Sequence, residues 1–108
     1  MRIAVDWDGV VHQRKEGKYG QPYPGTQEAL ETLIDAGIEI VIYTVVARTE
    51  QGKDSVIEWL DRYDIPYSDV TAVKPQVDLY VDDKALHHTD WASTLQEITQ
   101  RLDLDELD

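Results

Sequence analysis

The sequence predicts an α/β fold, a three-layer Rossmann-like sandwich on a mainly parallel sheet. Three observations predict it. The stretches Ile3-Ala4-Val5, Ile38 to Tyr43 and Val77 to Val81 are apolar runs of strand length, rich in β-branched residues. The segments between them place apolar residues three and four positions apart, as on one face of a helix. Ile38 to Tyr43 is apolar at nearly every position, the pattern of a strand covered on both faces, as parallel strands are. Strands alternating with helices in this order build a parallel sheet flanked by helices.

Taken in order, the first strand ends in Asp6-Trp7-Asp8-Gly9. Residues two apart share a side of an extended chain, so Asp6 and Asp8 share the strand's exit while Trp7 turns away. Residues 12–25 read as an excursion, a loop or small flap hairpin. It is punctuated by Gly17, Gly20, Pro22, Pro24 and Gly25 and carries the local positive cluster Arg14, Lys15 and Lys18. Thr26 is the expected N-cap of a helix whose face is Ala29, Leu30, Leu33 and Ile34, with Gly37 at C′. The Ile38–Tyr43 strand ends in Thr44. A second helix is expected from Asp54 to Tyr63 with Val56, Ile57, Leu60 and Tyr63 on one face, stopped by Ile65-Pro66. Val70 to Val73 reads as a short strand broken by Lys74-Pro75, and Val77 to Val81 as a strand ending in Asp82-Asp83. From about Asp90 a last helix carries Trp91, Leu95, Ile98 and Leu102. Residues 103–108 read as a solvated acidic tail, and Trp7, Trp59 and Trp91 as packing residues.

A chain of 108 residues fits one domain, 1–108, with enough apolar content (42%) for a core. No apolar run approaches the ~20 residues of a membrane span, and the N-terminus lacks a signal-peptide pattern, so the expected location is cytoplasmic. The absence of cysteine removes disulfides, thiolate metal sites and thiol nucleophiles. A net charge of −12 argues against binding along a nucleic-acid duplex but leaves room for a small phosphate beside a metal ion.

In a parallel sheet all strand C-termini lie on one edge, where ligands bind in open α/β folds. That rule brings Asp6, Asp8, Thr44, Asp82 and Asp83 to one rim, with Lys74 in the loop before the last strand. Core packing requires no such set of acids, since buried unpaired carboxylates cost stability. Phosphoryl transfer does. It needs oxygen ligands for a hard cation, a nucleophile, an acid/base, and donors for the phosphate.

Asp6-Trp7-Asp8-Gly9 after an apolar strand resembles motif I of the haloacid dehalogenase (HAD) superfamily. Thr44 after Ile-Val-Ile-Tyr resembles motif II, Lys74 before Pro75 motif III, and Asp82-Asp83 after Leu-Tyr-Val motif IV in its adjacent-acid form. The motifs follow the family's order and span residues 3 to 83. The resemblance implies a Mg²⁺-dependent phosphatase that works through an aspartyl phosphate, with the motif I strand central between those of motifs II and IV. It implies Asp6 as nucleophile and metal ligand, and Asp8 as general acid/base and a metal ligand through its carbonyl. Thr44 and Lys74 would hold the phosphate, Lys74 would restrain Asp6, and Asp82 would complete the metal shell with Asp83 assisting. The expected substrate is a small phosphomonoester, with a phosphorylated nucleic-acid end as the other option and a homo-oligomer as one way to cover the site.

Two features depart from the family pattern. Val10 stands where members commonly have Thr, and there is no cap domain, only the short excursion. In this the chain most resembles short capless members near the phosphatase domain of polynucleotide kinase. A phosphotransferase, or a non-catalytic metal- or partner-binding module of the same fold, are the alternatives. A two-component receiver domain has a different motif order. His12 reads as a loop histidine near enough to the turn to reach a leaving group, Arg48 as a residue within reach of substrate, and His87-His88 as an exposed pair.

Overall fold

The computed structural model describes residues 1–15, 18–82 and 90–102. Four strands form a parallel sheet in the order β5-β4-β1-β6, namely Asp69–Thr71, Glu39–Tyr43, Arg2–Asp6 and Leu79–Val81. Helices flank the sheet, and the α/β layout agrees with the sequence reading. β1 lies in the middle because it pairs on one side with β4 and on the other with β6.

The β-branched runs set this arrangement. Ile40, Val41 and Ile42 are each at most 1% exposed, so β4 is covered on both faces. On one face Ile3 and Val5 of the first strand, Trp7 just beyond it, and Ile40 and Ile42 of the fourth form the core with Leu30 of α1 (Thr26–Asp35) and Val56, Trp59 and Leu60 of α2 (Glu50–Arg62). Burying each of these side chains contributes about 1.5–3 kcal/mol, which fixes both helices over that face.

Local boundaries differ from the sequence reading at identifiable residues. Gly25, not Thr26, takes the N-cap position of α1 and offers no side-chain bond, while the Thr26 hydroxyl donates to the Tyr23 carbonyl at 2.8 Å. α2 starts at Glu50 rather than Asp54, because the Thr49 hydroxyl accepts the Gly52 N–H at 3.0 Å and caps the helix earlier. The excursion folds as an antiparallel hairpin, β2 (His12–Lys15) against β3 (Lys18–Pro22). The cluster of Arg14, Lys15 and Lys18 involves side chains outside the described set.

The last helix, α3 (Trp91–Arg101), is capped by Asp90, whose carboxylate accepts the Ser93 N–H at 2.9 Å. Among the described residues its apolar stripe does not join the core cluster. Trp91 is 75% exposed and Leu102 65%, contrary to the packing role expected of Trp91. A helical period shows that a face is apolar but not which neighbour it meets. The strand preceding it, β6, is the outer strand of the sheet, and Leu79, Tyr80 and Val81 are themselves exposed. The acidic tail and His87-His88 lie outside the described residues. Among those described, no helix is long and apolar enough to cross a membrane.

Candidate active site

The C-terminal rim of the sheet can be read directly from its register. Asp6 stands opposite Tyr43, Tyr43 opposite Thr71, and Val5 opposite Val81. Thr44 therefore leaves the sheet on one side of the first strand, and Asp82 leaves it beside Asp6 on the other. Neighbouring strands lie about 4.8 Å apart, so the backbones of Asp6 and Asp82 are in the same close neighbourhood. Register partners also share a face, which puts both carboxylates on the face of Ala4 and Tyr80, opposite the Trp7 core.

Beyond Asp6 the chain stays tied to the fourth strand for one more residue, through Trp7 N–H to the Tyr43 carbonyl at 3.2 Å. Gly9 then takes φ of 79°, a conformation that costs a non-glycine residue roughly 1–2 kcal/mol. The turn lets Val11 and His12 donate back to the Trp7 carbonyl at 3.2 and 3.3 Å. This bend brings His12 under Asp8, with the imidazole Nε2 2.8 Å from the Asp8 carboxylate.

His12 is not an open loop histidine. It is 2% exposed and sits among the rings of Trp7, Tyr19 and Trp59, with centroids 4.6, 5.4 and 5.9 Å away. Trp59 is itself tied to the hairpin by its indole N–H, which donates to the Gly20 carbonyl at 3.1 Å. Tyr19 reaches Ser55 of α2 at 2.9 Å. The hairpin, α2 and the turn after the first strand thus share one aromatic cluster, and His12 links that cluster to Asp8. Sequence reasoning missed this role. The available signal was a histidine four residues after the second Asp, across a glycine turn.

Thr44 is 4% exposed. Its N–H donates to the Thr71 carbonyl at 2.9 Å, and its hydroxyl oxygen accepts the Val46 N–H at 3.2 Å, capping the short 3₁₀ turn Val45–Arg48. Among the described residues the hydroxyl proton meets no acceptor.

Lys74 follows the fifth strand, and its ammonium lies 5.0 Å from the centroid of the Tyr80 ring, a cation–π contact. Tyr80 in turn donates to the Pro75 carbonyl and so holds the loop that carries Lys74. Because Tyr80 stands opposite Ala4, Lys74 lies on the sheet face of Asp6 and Asp82. Its contact there is the ring; no ion pair joins it to a carboxylate among the described residues.

The register thus sets Asp6 and Asp82 side by side on one face, with Thr44 at the end of the adjacent fourth strand, Asp8 one turn beyond and Lys74 over the sixth strand. Asp83 lies outside the described residues. Among the described residues, no group of three or more His, Cys, Asp or Glu side chains gathers as a complete metal shell, partly because Asp8 is turned onto His12. Asp6 and Asp82 offer carboxylate oxygens, which suit a hard divalent cation better than a transition metal.

Comparison with known proteins agrees on the fold. No family model matches the chain, and no curated protein matches it in sequence. Among solved structures, a conserved protein from Bacteroides thetaiotaomicron superposes with a TM-score of 0.65 at 22% identity, covering 94% of this chain and 91% of that one. The D,D-heptose 1.7-bisphosphate phosphatase of B. bronchiseptica, solved with magnesium and phosphate, superposes at 0.49 and 18% identity, covering 96% of this chain and 64% of its own. At 22% identity the likeness to the Bacteroides protein is one of fold: a parallel α/β sheet flanked by helices.

Proposed function

We propose that the chain is a Mg²⁺-dependent phosphomonoester hydrolase of the HAD type. The observation that carries this is the register, which sets Asp6 at the end of the central strand, Thr44 on one side and Asp82 on the other.

In this reading the Asp6 carboxylate attacks the phosphorus of the ester. A P–O bond forms to Asp6 as the bond to the leaving oxygen breaks, and Asp8 supplies the proton that oxygen needs. Asp8 then takes a proton from water, the water oxygen attacks the aspartyl phosphate, and inorganic phosphate leaves with Asp6 restored. The Thr44 hydroxyl and the Lys74 ammonium hold the phosphoryl oxygens; Lys74 would leave the Tyr80 ring to do so. Asp6 and Asp82 would hold the cation, with Asp83 as a further candidate ligand, and the ion's part is to offset negative charge on the phosphate. His12 acts through Asp8 by holding its carboxylate at the turn.

The test is phosphate release from an aryl phosphate by the purified chain. Release is expected with Mg²⁺, lost in EDTA and restored by Mg²⁺, and absent in Asp6→Asn with an unchanged melting curve. Full turnover in metal-free protein, or near-normal turnover in Asp6→Asn, would refute the assignment.

A further inference from the structure

The chain has 22 acidic residues against 10 basic ones, so carboxylate partners for its cations are in excess. Arg2, Arg62 and Arg101 take such partners, Glu39, Glu58 and Glu97. Among the described side chains, Arg48, Lys53 and Lys74 have no ion pair. All three sit beyond the C-terminal ends of the fourth and fifth strands.

Two of them line one cleft. It has a volume of about 440 Å³ and is lined by Val45, Ala47, Val70 and Val73 together with Arg48 and Lys53. Val45 follows Thr44 directly, so the cleft opens next to Thr44 at the end of the fourth strand. Lys53 is only partly exposed and lies in the first turn of α2, where the helix end adds positive potential. Close packing fixes the backbone segments that carry the two cations. A Cβ on Gly52 would fall 1.8 Å from the Val46 carbonyl oxygen, so the turn bearing Arg48 sits directly against the helix bearing Lys53. Two neighbouring cations without an ion pair beside apolar walls attract an anion.

The geometry points to a second anionic subsite: the substrate is a small phosphomonoester with another anionic group, carboxylate or phosphate, that reaches Arg48 and Lys53 while its phosphoryl group lies at Asp6. This rests on the hydrolase reading and narrows its substrate. A phosphorylated oligonucleotide also offers a second anion, but a net charge of −12 repels a polyanion and the cleft accommodates one small molecule.

Matched pairs test it: glycerol phosphate against phosphoglycerate, and a hexose monophosphate against the hexose bisphosphate, each with Mg²⁺. The member with the extra anion is expected to have a kcat/KM about tenfold higher or more, the size of one charge-assisted hydrogen bond. The double variant Arg48→Gln/Lys53→Gln should bring that ratio to about one. Equal kcat/KM within the wild-type pairs, a ratio the double variant leaves unchanged, or preference for a phosphorylated oligonucleotide would overturn the inference. Calorimetric titration of Asp6→Asn protein with phosphoglycerate separates the two readings. If no substrate is turned over, the hydrolase assignment fails. Binding that the added Arg48→Gln/Lys53→Gln changes weaken about tenfold would still support the subsite, and binding they leave unaltered, or none, would refute it.

Discussion

Replacing His12 by Phe isolates the link between the aromatic cluster and Asp8. The substitution keeps a flat ring among Trp7, Tyr19 and Trp59 and deletes the Nε2 group that meets the Asp8 carboxylate at 2.8 Å. A hydrogen bond to a charged group contributes about 1.5–3 kcal/mol. The Asp8 side chain is 43% exposed, so water partly replaces the lost partner and the lower end applies, about 1.5 kcal/mol or roughly tenfold in rate. That loss should fall on the step in which Asp8 protonates the leaving oxygen. An alkyl phosphate needs the proton; p-nitrophenyl phosphate leaves as a stable anion and does not. The expected result is a roughly tenfold drop in kcat/KM for glycerol phosphate and little change for p-nitrophenyl phosphate, measured on the same preparation. Equal losses on both substrates would mean that His12 serves packing alone, and no loss on either would remove it from any role at Asp8.

Other expectations concern the phosphate donors and the frame that holds them. Lys74→Ala should lower kcat/KM on every phosphomonoester by about 100-fold, in the range of a lost charge-stabilising donor; a change below threefold would mean that another cation serves the phosphate. Ile42 is fully buried between the first and fifth strands, so Ile42→Ala should cost about 2–5 kcal/mol in urea unfolding, and a loss under 1 kcal/mol would contradict the core described. Burial, with the nearby Asp61 carboxylate adding to it, raises the Tyr67 phenol above its usual 10.0. The folded state then holds that proton more tightly than the unfolded chain. The stabilisation is complete below the unfolded pKa and disappears as pH rises through the folded one, so Tyr67→Phe should flatten the alkaline decline in Tm.

Much of the rim was legible because it follows from covalent order. Once Ile3 to Val5 and Ile38 to Tyr43 were read as buried parallel strands, the residues after them had to emerge on one edge, and the register placed Asp6, Thr44 and Asp82 accordingly. Short elements were less legible. The fifth and sixth strands have three residues each, too few for a period to develop, and α2 began earlier than expected because a polar first turn, Glu50 to Lys53, concealed the cap at Thr49. The environment of His12 could not be read at all from spacing. Its neighbours Trp7, Tyr19 and Trp59 come from three different elements, and only the hairpin's closure onto α2 brings them together. The cleft beside Arg48 and Lys53 was hidden for the same reason, since packing of the 3₁₀ turn against α2 creates it. The largely exposed stripe of α3 is the converse case, a clear helical period whose partner the period does not name.

The central claim is that a carboxylate at the end of the middle strand receives the phosphoryl group with a divalent ion present. Acid-quenched protein, mixed with Mg²⁺ and an aryl phosphate and analysed by peptide mass spectrometry, tests this most directly. One phosphoryl group on the peptide containing Asp6, absent without Mg²⁺ and absent in Asp6→Asn, is the predicted result. Phosphate release with the label on another residue, or a label on Asp6 that forms equally well in EDTA, would contradict it.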